Sequence, residues 1–152
     1  MLREKMGNDS YDRTLRPINK LPNGTLTGVE VKTEIYLRSI TDINMQTSSF
    51  DVNFELSHFW HDPRLELAQE EPIELEDGRG IVWLPDTSFY YLIADKSPMS
   101  AVQVRVFGNG TVWSIQSRIH TLPCKFDVSY FPFDHVECKM LMGSSAHTTR
   151  DI

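Results

Sequence analysis

Residues Phe50 to Ser57 read FDVNFELS, and apolar and polar side chains alternate through them without a break. Successive side chains of a strand point to opposite faces. The pattern therefore predicts a half-buried β-strand with Phe50, Val52, Phe54 and Leu56 on a core and Asp51, Asn53, Glu55 and Ser57 outside. An upstream segment has the same period: Val29, Val31, Thr33, Ile35 and Leu37 share one face, and Glu30, Lys32, Glu34 and Arg38 the other. Downstream, AVQVRVF (101–107) and TVWSIQSRIHTL (111–122) are strands joined by Gly108-Asn109-Gly110, a turn suited to a tight hairpin. Ile81-Val82-Trp83 reads as a short apolar strand, and Leu65 to Gly80 as an acidic loop ending in the turn signal Asp77-Gly78. Helical signal is confined to the N-terminus, where Ser10 is placed to cap a short helix over Tyr11 to Leu15 that Arg16-Pro17 would end. Many short strands with turn signals between them predict an all-β, immunoglobulin-like sandwich of antiparallel strands.

A chain of 152 residues, 40% hydrophobic and 24% charged, suffices for one domain with its own core. A net charge of -6 argues against a nucleic-acid partner, which calls for a basic footprint. No window approaches eighteen unbroken apolar residues, so no bilayer span is expected within the chain. The start, MLREKMGNDSYDR, lacks the apolar centre of a signal peptide. Three N-glycosylation sequons begin at Asn8, Asn23 and Asn109, and with the cysteine pair they point to an extracellular setting. Catalysis is not expected. The histidines at 58, 61, 120, 135 and 147 make no triad spacing, and no glycine loop could cradle a phosphate. His58 and His61, three apart on a predicted strand, face opposite ways and could not share a metal. No cofactor is expected.

Cys124 and Cys138 are the only cysteines, and they enclose KFDVSYFPFDHVE. A zinc site would need about four ligands, to which His135 adds only one. A redox pair favours closer thiols. A disulfide closing this ring restricts the unfolded chain by roughly 3 kcal/mol and is the expected state. Inside it, Phe131-Pro132-Phe133-Asp134 sets a proline between aromatics, which suits a fixed turn.

Thirteen residues between two cysteines, with Phe-Pro-Phe-Asp near the second, resemble the signature loop of the Cys-loop receptors, the pentameric neurotransmitter-gated ion channels. Trp60-His61-Asp62-Pro63-Arg64-Leu65 is similar to the family's W-x-D-x-R-L segment, and Trp83-Leu84-Pro85-Asp86 to its W-x-P-D segment. Ser10-Tyr11-Asp12-Arg13 through Arg16-Pro17 looks like its N-terminal helix, so the resemblance covers nearly the whole chain. It implies a partial extracellular ligand-binding domain over 1–152, on the outer face of the plasma membrane. The final strands and the membrane-spanning domain would be absent from the chain. The disulfide loop would couple agonist binding to the pore, with Phe131, Pro132, Phe133 and Asp134 as its contact tip. Trp60, Asp62, Trp83 and Asp86 are expected to be core and turn-fixing residues.

Family agonist sites lie between subunits of the pentamer. On the principal face, Tyr90 matches the nicotinic-type tyrosine, but Ser145 stands where an aromatic residue is usual, and the third segment lies past Ile152. On the complementary face, the family's aromatic position falls on Glu55, and the arginine that holds amino-acid carboxylates falls on Ser57. Trp113, Ile115 and Arg105 match further complementary positions. The resemblance thus implies a small-molecule neurotransmitter, with Glu55 favouring a cationic amine. Ion selectivity leans to a divergent member of the anion branch. The turn Met45 to Ser49 lacks the acidic residue often placed there for coupling. The rival to a channel subunit is a soluble pore-less binding protein, or a truncated subunit that modulates full-length partners. The isolated chain is expected to be poorly stable or aggregation-prone, because absent strands would leave open edges.

Overall fold

The computed structural model describes residues 11–68, 70–130 and 132–148. The expected Ser10 cap, the Asn8 sequon and Phe131 of the loop tip lie outside the described residues. Eleven strands follow in order: β1 (Asn19–Lys20), β2 (Leu26–Thr27), β3 (Lys32–Asn44), β4 (Ser49–His61), β5 (Ile73–Leu75) and β6 (Thr87–Tyr90), then β7 (Ala94–Asp95), β8 (Gln103–Val106), β9 (Thr111–Asp127), β10 (His135–Cys138) and β11 (Leu141–Ser144). All the pairings are antiparallel. The largest sheet runs β3-β4-β9-β8-β5, with β7 and β10 also pairing with β9. A second sheet joins β11 to β6, and a small one joins β1 to β2. The predicted all-β sandwich is the observed architecture.

From Val52 onward the alternation that predicted β4 is the observed burial, but Asp51, expected outside, is buried, held by Lys96 and Thr121, and Phe50 is only half-buried. Val52, Phe54, Leu56, His58 and Trp60 are buried, while Asn53, Glu55, Ser57 and Phe59 between them are only partly covered. β4 and β9 pair in one unbroken register from Ser49↔Pro123 to His61↔Thr111. The core has two parts. Trp60 and Trp83 meet edge to face at 5.9 Å beside Val104, Val106 and Val112. Farther along, Val52, Phe54, Leu56 and Leu122 pack with Phe89, which carries the β6–β11 sheet onto the large one. The hairpin turn between β8 and β9 closes with Gly110 at φ 78, where an added Cβ would sit 2.9 Å from the Asp62 carbonyl oxygen.

Other expectations change as well. Tyr11 to Leu15 holds a hydrogen-bonded turn, Leu15 N donating to Asp12 O at 3.3 Å, and no helix; the described residues do hold one short helical turn, of the 3-10 type, at Pro63–Leu65. Ile81-Val82-Trp83 is a turn, not a strand: the amides of Ile81 and Val82 both donate to Gly78 O, while Val82 and Trp83 are drawn into the core. The acidic segment after Leu65 holds β5, in which Ile73 and Leu75 pack toward the core and Glu74 faces out. β3 is a strand as predicted, but Ile35 and Leu37 on its core-facing side are 40% and 53% exposed. Its inner face has little laid against it among the described residues.

Candidate functional site

Directly opposite residues of antiparallel strands project to the same side of a sheet. Outward-facing Phe59 is opposite Trp113, which is opposite Arg105, which is opposite Glu74. The next row runs Glu34, Ser57, Ile115 and Gln103, and the one after it Tyr36, Glu55 and Ser117. The sheet therefore brings five of the sequence-predicted residues, Glu55, Ser57, Arg105, Trp113 and Ile115, onto one outward face. Trp113 is the centre of that face. Phe59 stacks on its indole at 6.0 Å and 14°, and the Arg105 guanidinium lies 5.0 Å from the ring centroid. Arg105 Nε also forms an ion pair with Glu74 Oε1 at 2.8 Å. A groove of about 290 Å³ opens here, lined by Glu74, Glu76, Gln103, Arg105, Trp113 and Ile115 among others. The indole Nε1 is shielded from solvent and has no hydrogen-bond partner.

Glu55 does not offer a bare carboxylate. Arg38 of β3 reaches across and pairs with it through Nη2. Sequence reasoning missed Arg38, Phe59 and Glu74 as members of this face. Phe59 was within reach, because it continues the outward set of β4. Arg38 stands where the β3–β4 register shifts, between Leu37 and Ser39, and a bulge of that kind hides cross-strand neighbours from a periodicity argument.

Tyr90 stands apart from this group, on β6 opposite Leu141, and its hydroxyl donates to Ser144 O at 3.2 Å. Beside it, Asp86 ties down the segment after β11. Its carboxylate accepts from Ser144 Oγ at 2.7 Å, from Ala146 N at 2.7 Å and from Ser145 N at 3.0 Å. Burial pushes the Asp86 carboxyl up, but these donors outweigh it and hold the group below its ordinary range. Ser145 is thus spent on Asp86.

The W-x-D-x-R-L segment is a structural knot. Asp62 is fully buried and takes a forked pair of bonds from Arg64, Nε at 2.8 Å and Nη2 at 2.7 Å. Tyr11 donates to Asp62 at 3.2 Å, and its oxygen accepts from Trp83 N at 3.0 Å. Burial pushes the Tyr11 hydroxyl up to about 12. His61 points outward to Asn109 O at 3.0 Å, away from buried His58.

At the far end of β9, Cys124 and Cys138 form the expected disulfide, with their Cα atoms 4.3 Å apart as direct cross-strand partners. β10 folds back on β9 from His135↔Asp127 to this bridge. Beyond it Pro132 and Phe133 are exposed, Phe133 by 85%, and Asp134 is partly covered. Cys124 N donates to Ser48 O at 2.8 Å, which joins the loop to the turn between β3 and β4. Asn23 and Asn109 are exposed, and each asparagine oxygen accepts from the amide two residues on, at 2.9 and 3.0 Å. No helix among the described residues is long and apolar enough to cross a membrane, which says nothing of a β-barrel.

The neurotransmitter-gated ion-channel ligand binding domain family matches the chain over residues 1–152. A probable ligand-gated ion channel 46 from Caenorhabditis elegans is 30% identical over 88% of this chain and 27% of its own length. A gamma-aminobutyric acid receptor subunit beta from Lymnaea stagnalis is 28% identical over 93% of this chain and 30% of its own. The acetylcholine-gated chloride channel subunit acc-1 of C. elegans is 27% identical over 95% and 31%. The chain thus spans less than a third of the length of these relatives. With its disulfide loop, its Trp60-to-Leu65 knot and its sandwich, it belongs to the family of neurotransmitter-gated ion-channel ligand binding domains.

Proposed function

We propose that the chain is the extracellular, agonist-binding part of a channel subunit at the plasma membrane, and that it lends its β4–β9–β8 face to a site shared with a neighbouring subunit of a pentamer. The observation that carries this reading is the gathering of Glu55, Ser57, Arg105, Trp113 and Ile115 on one outward face around a groove. The ligand is a small neurotransmitter of the amine class, since Trp113 offers an aromatic seat and Glu74 and Glu76 line the groove beside it. Glu55, already paired with Arg38, carries less of that preference than its charge suggests. Tyr90 contributes to the opposite, principal face. Pro132, Phe133 and Asp134, with Phe131, form the tip through which the disulfide loop touches the membrane-spanning part and passes the signal on. Asn23 and Asn109 carry N-glycans, and Asn8 is a third acceptor.

The test joins this domain to the remainder of the L. stagnalis subunit and records current under acetylcholine, serotonin, GABA and glycine. The expected result is a current evoked by an amine, with the half-maximal concentration raised at least about tenfold by Trp113→Leu. A channel at the surface that answers to none of them, or whose response ignores Trp113→Leu, overturns the reading.

A further inference from the structure

A seat for an organic cation is useful only when it is empty, and here it is not. Arg105 holds its guanidinium 5.0 Å from the Trp113 centroid. Phe59 and Arg105 come from strands on opposite sides of β9, so the indole is covered from both. Phe59 is a neutral, stacked ring, but the arginine is chemically the same kind of guest that an amine agonist would be. It is also held electrostatically, because Nε is ion-paired with Glu74 Oε1 at 2.8 Å. Its side chain is nevertheless 47% exposed and that of Glu74 66%. An exposed pair of this kind contributes little to holding its own geometry.

We infer that Arg105 is a built-in competitor for the cation seat: an organic ammonium binds the groove by displacing the guanidinium from Trp113, and Arg105 sets how weakly amines bind. The inference rests on the reading of this face as an agonist site. It deepens that reading by naming the residue that tunes the site. Displacement leaves Arg105 on Glu74 while the ammonium takes the indole face. Glu76, the second carboxylate of the groove, is then available to the incoming charge. The buried, unpartnered Trp113 Nε1 adds one preference, for an ammonium that carries a hydrogen-bond acceptor.

The sign of one substitution decides the matter. Removing an arginine that binds the ligand weakens binding, whereas removing one that competes with it strengthens binding. Arg105 is largely exposed, so its variants are expected to fold, which circular dichroism checks. Choline is the probe, titrated calorimetrically into the purified chain at concentrations below those at which light scattering detects association. Arg105→Gln is expected to bind choline about three- to tenfold more tightly than the parent, since it frees the ring and leaves two uncompensated carboxylates. Arg105→Lys keeps a tethered cation and is expected to stay within about twofold of the parent. Adding Trp113→Leu to Arg105→Gln removes the gain. An Arg105→Gln chain that binds choline no better than the parent, or a gain that survives Trp113→Leu, overturns the inference. The failure of the agonist reading itself is distinguishable, because a silent chimeric channel tests that reading whatever choline does to the isolated chain.

Discussion

Lys96 Nζ lies 2.7 Å from Asp51 Oδ2, and Thr121 Oγ1 donates to the other oxygen of the same carboxylate at 2.6 Å. Asp51 is 4% exposed. The Lys96 bond, and after it the Thr121 bond, hold its carboxyl below the ordinary range. One buried charge thus fastens β4 to β9 and to the segment after β7, at the end of the sheet that carries the disulfide. Asp51→Ala is expected to cost about 2–3 kcal/mol, because it strips the partners from both donors. Lys96→Met, whose charge is half in solvent, is expected to cost less than Asp51→Ala. Urea denaturation of the two variants measures this, and a parental midpoint for Asp51→Ala would contradict it.

His58 gives stability a dependence on pH. It is buried, shares a 2.7 Å hydrogen bond with Thr87, and is pushed down to about 4 by burial and by the nearby Arg118 guanidinium. The unfolded chain therefore takes up this proton more readily than the folded one. Stability is complete above the ordinary histidine value, and it is lost as pH falls from about 6.5 toward 4. The loss at pH 5 is about 2 kcal/mol for this group, and His120, also shifted downward by burial, acts in the same direction. Denaturation midpoints at pH 7 and pH 5 test it: His58→Gln should flatten the slope, and an unchanged slope would assign the effect elsewhere.

These two residues mark the limit of what was legible in the sequence. Alternation from Phe50 to Leu56 gave the strand and its inner face, but it assigned Asp51 outward with Asn53 and Glu55. Lys96 and Thr121 hold Asp51 in a buried position, and no one-dimensional pattern carries that. Ile81-Val82-Trp83 looked like a strand because burial and strand pairing give the same apolar run; Gly78 turns it instead. β5 was hidden because three residues are too few to show a period. At the candidate site, the residues on long strands were readable from register alone. Arg38 and Glu74, which neutralise two of the site's charges, come from a bulge and from that short strand.

The Cys124–Cys138 bridge closes a ring that the four-residue β10 pairing also anchors. Cys124→Ser with Cys138→Ser is expected to lower stability by roughly 3 kcal/mol. The doubly substituted chain and the parent, melted side by side without reductant, measure it. Matching curves would mean that the ring contributes nothing to the folded state.

The inner face of β3 predicts association. Ile35 and Leu37 lie toward the core and yet are exposed, and Ile40 and Ile43 follow at 48% and 63%. An open strand carrying such side chains is a template for pairing with another chain. Light scattering of the isolated chain should rise with concentration, and Ile35→Lys with Leu37→Lys should suppress the rise. A parent that stays monomeric and melts sharply and reversibly at micromolar concentration would refute this.

β9 carries Trp113 near one end and Cys124 near the other, within a single strand from Thr111 to Asp127 that no turn interrupts. At about 3.3 Å per residue, the indole and the cysteine are some 36 Å apart along one extended backbone. That backbone is braced on one side by thirteen consecutive partners from β4. The groove and the disulfide loop are thus two ends of one strand, set in a single register with β4.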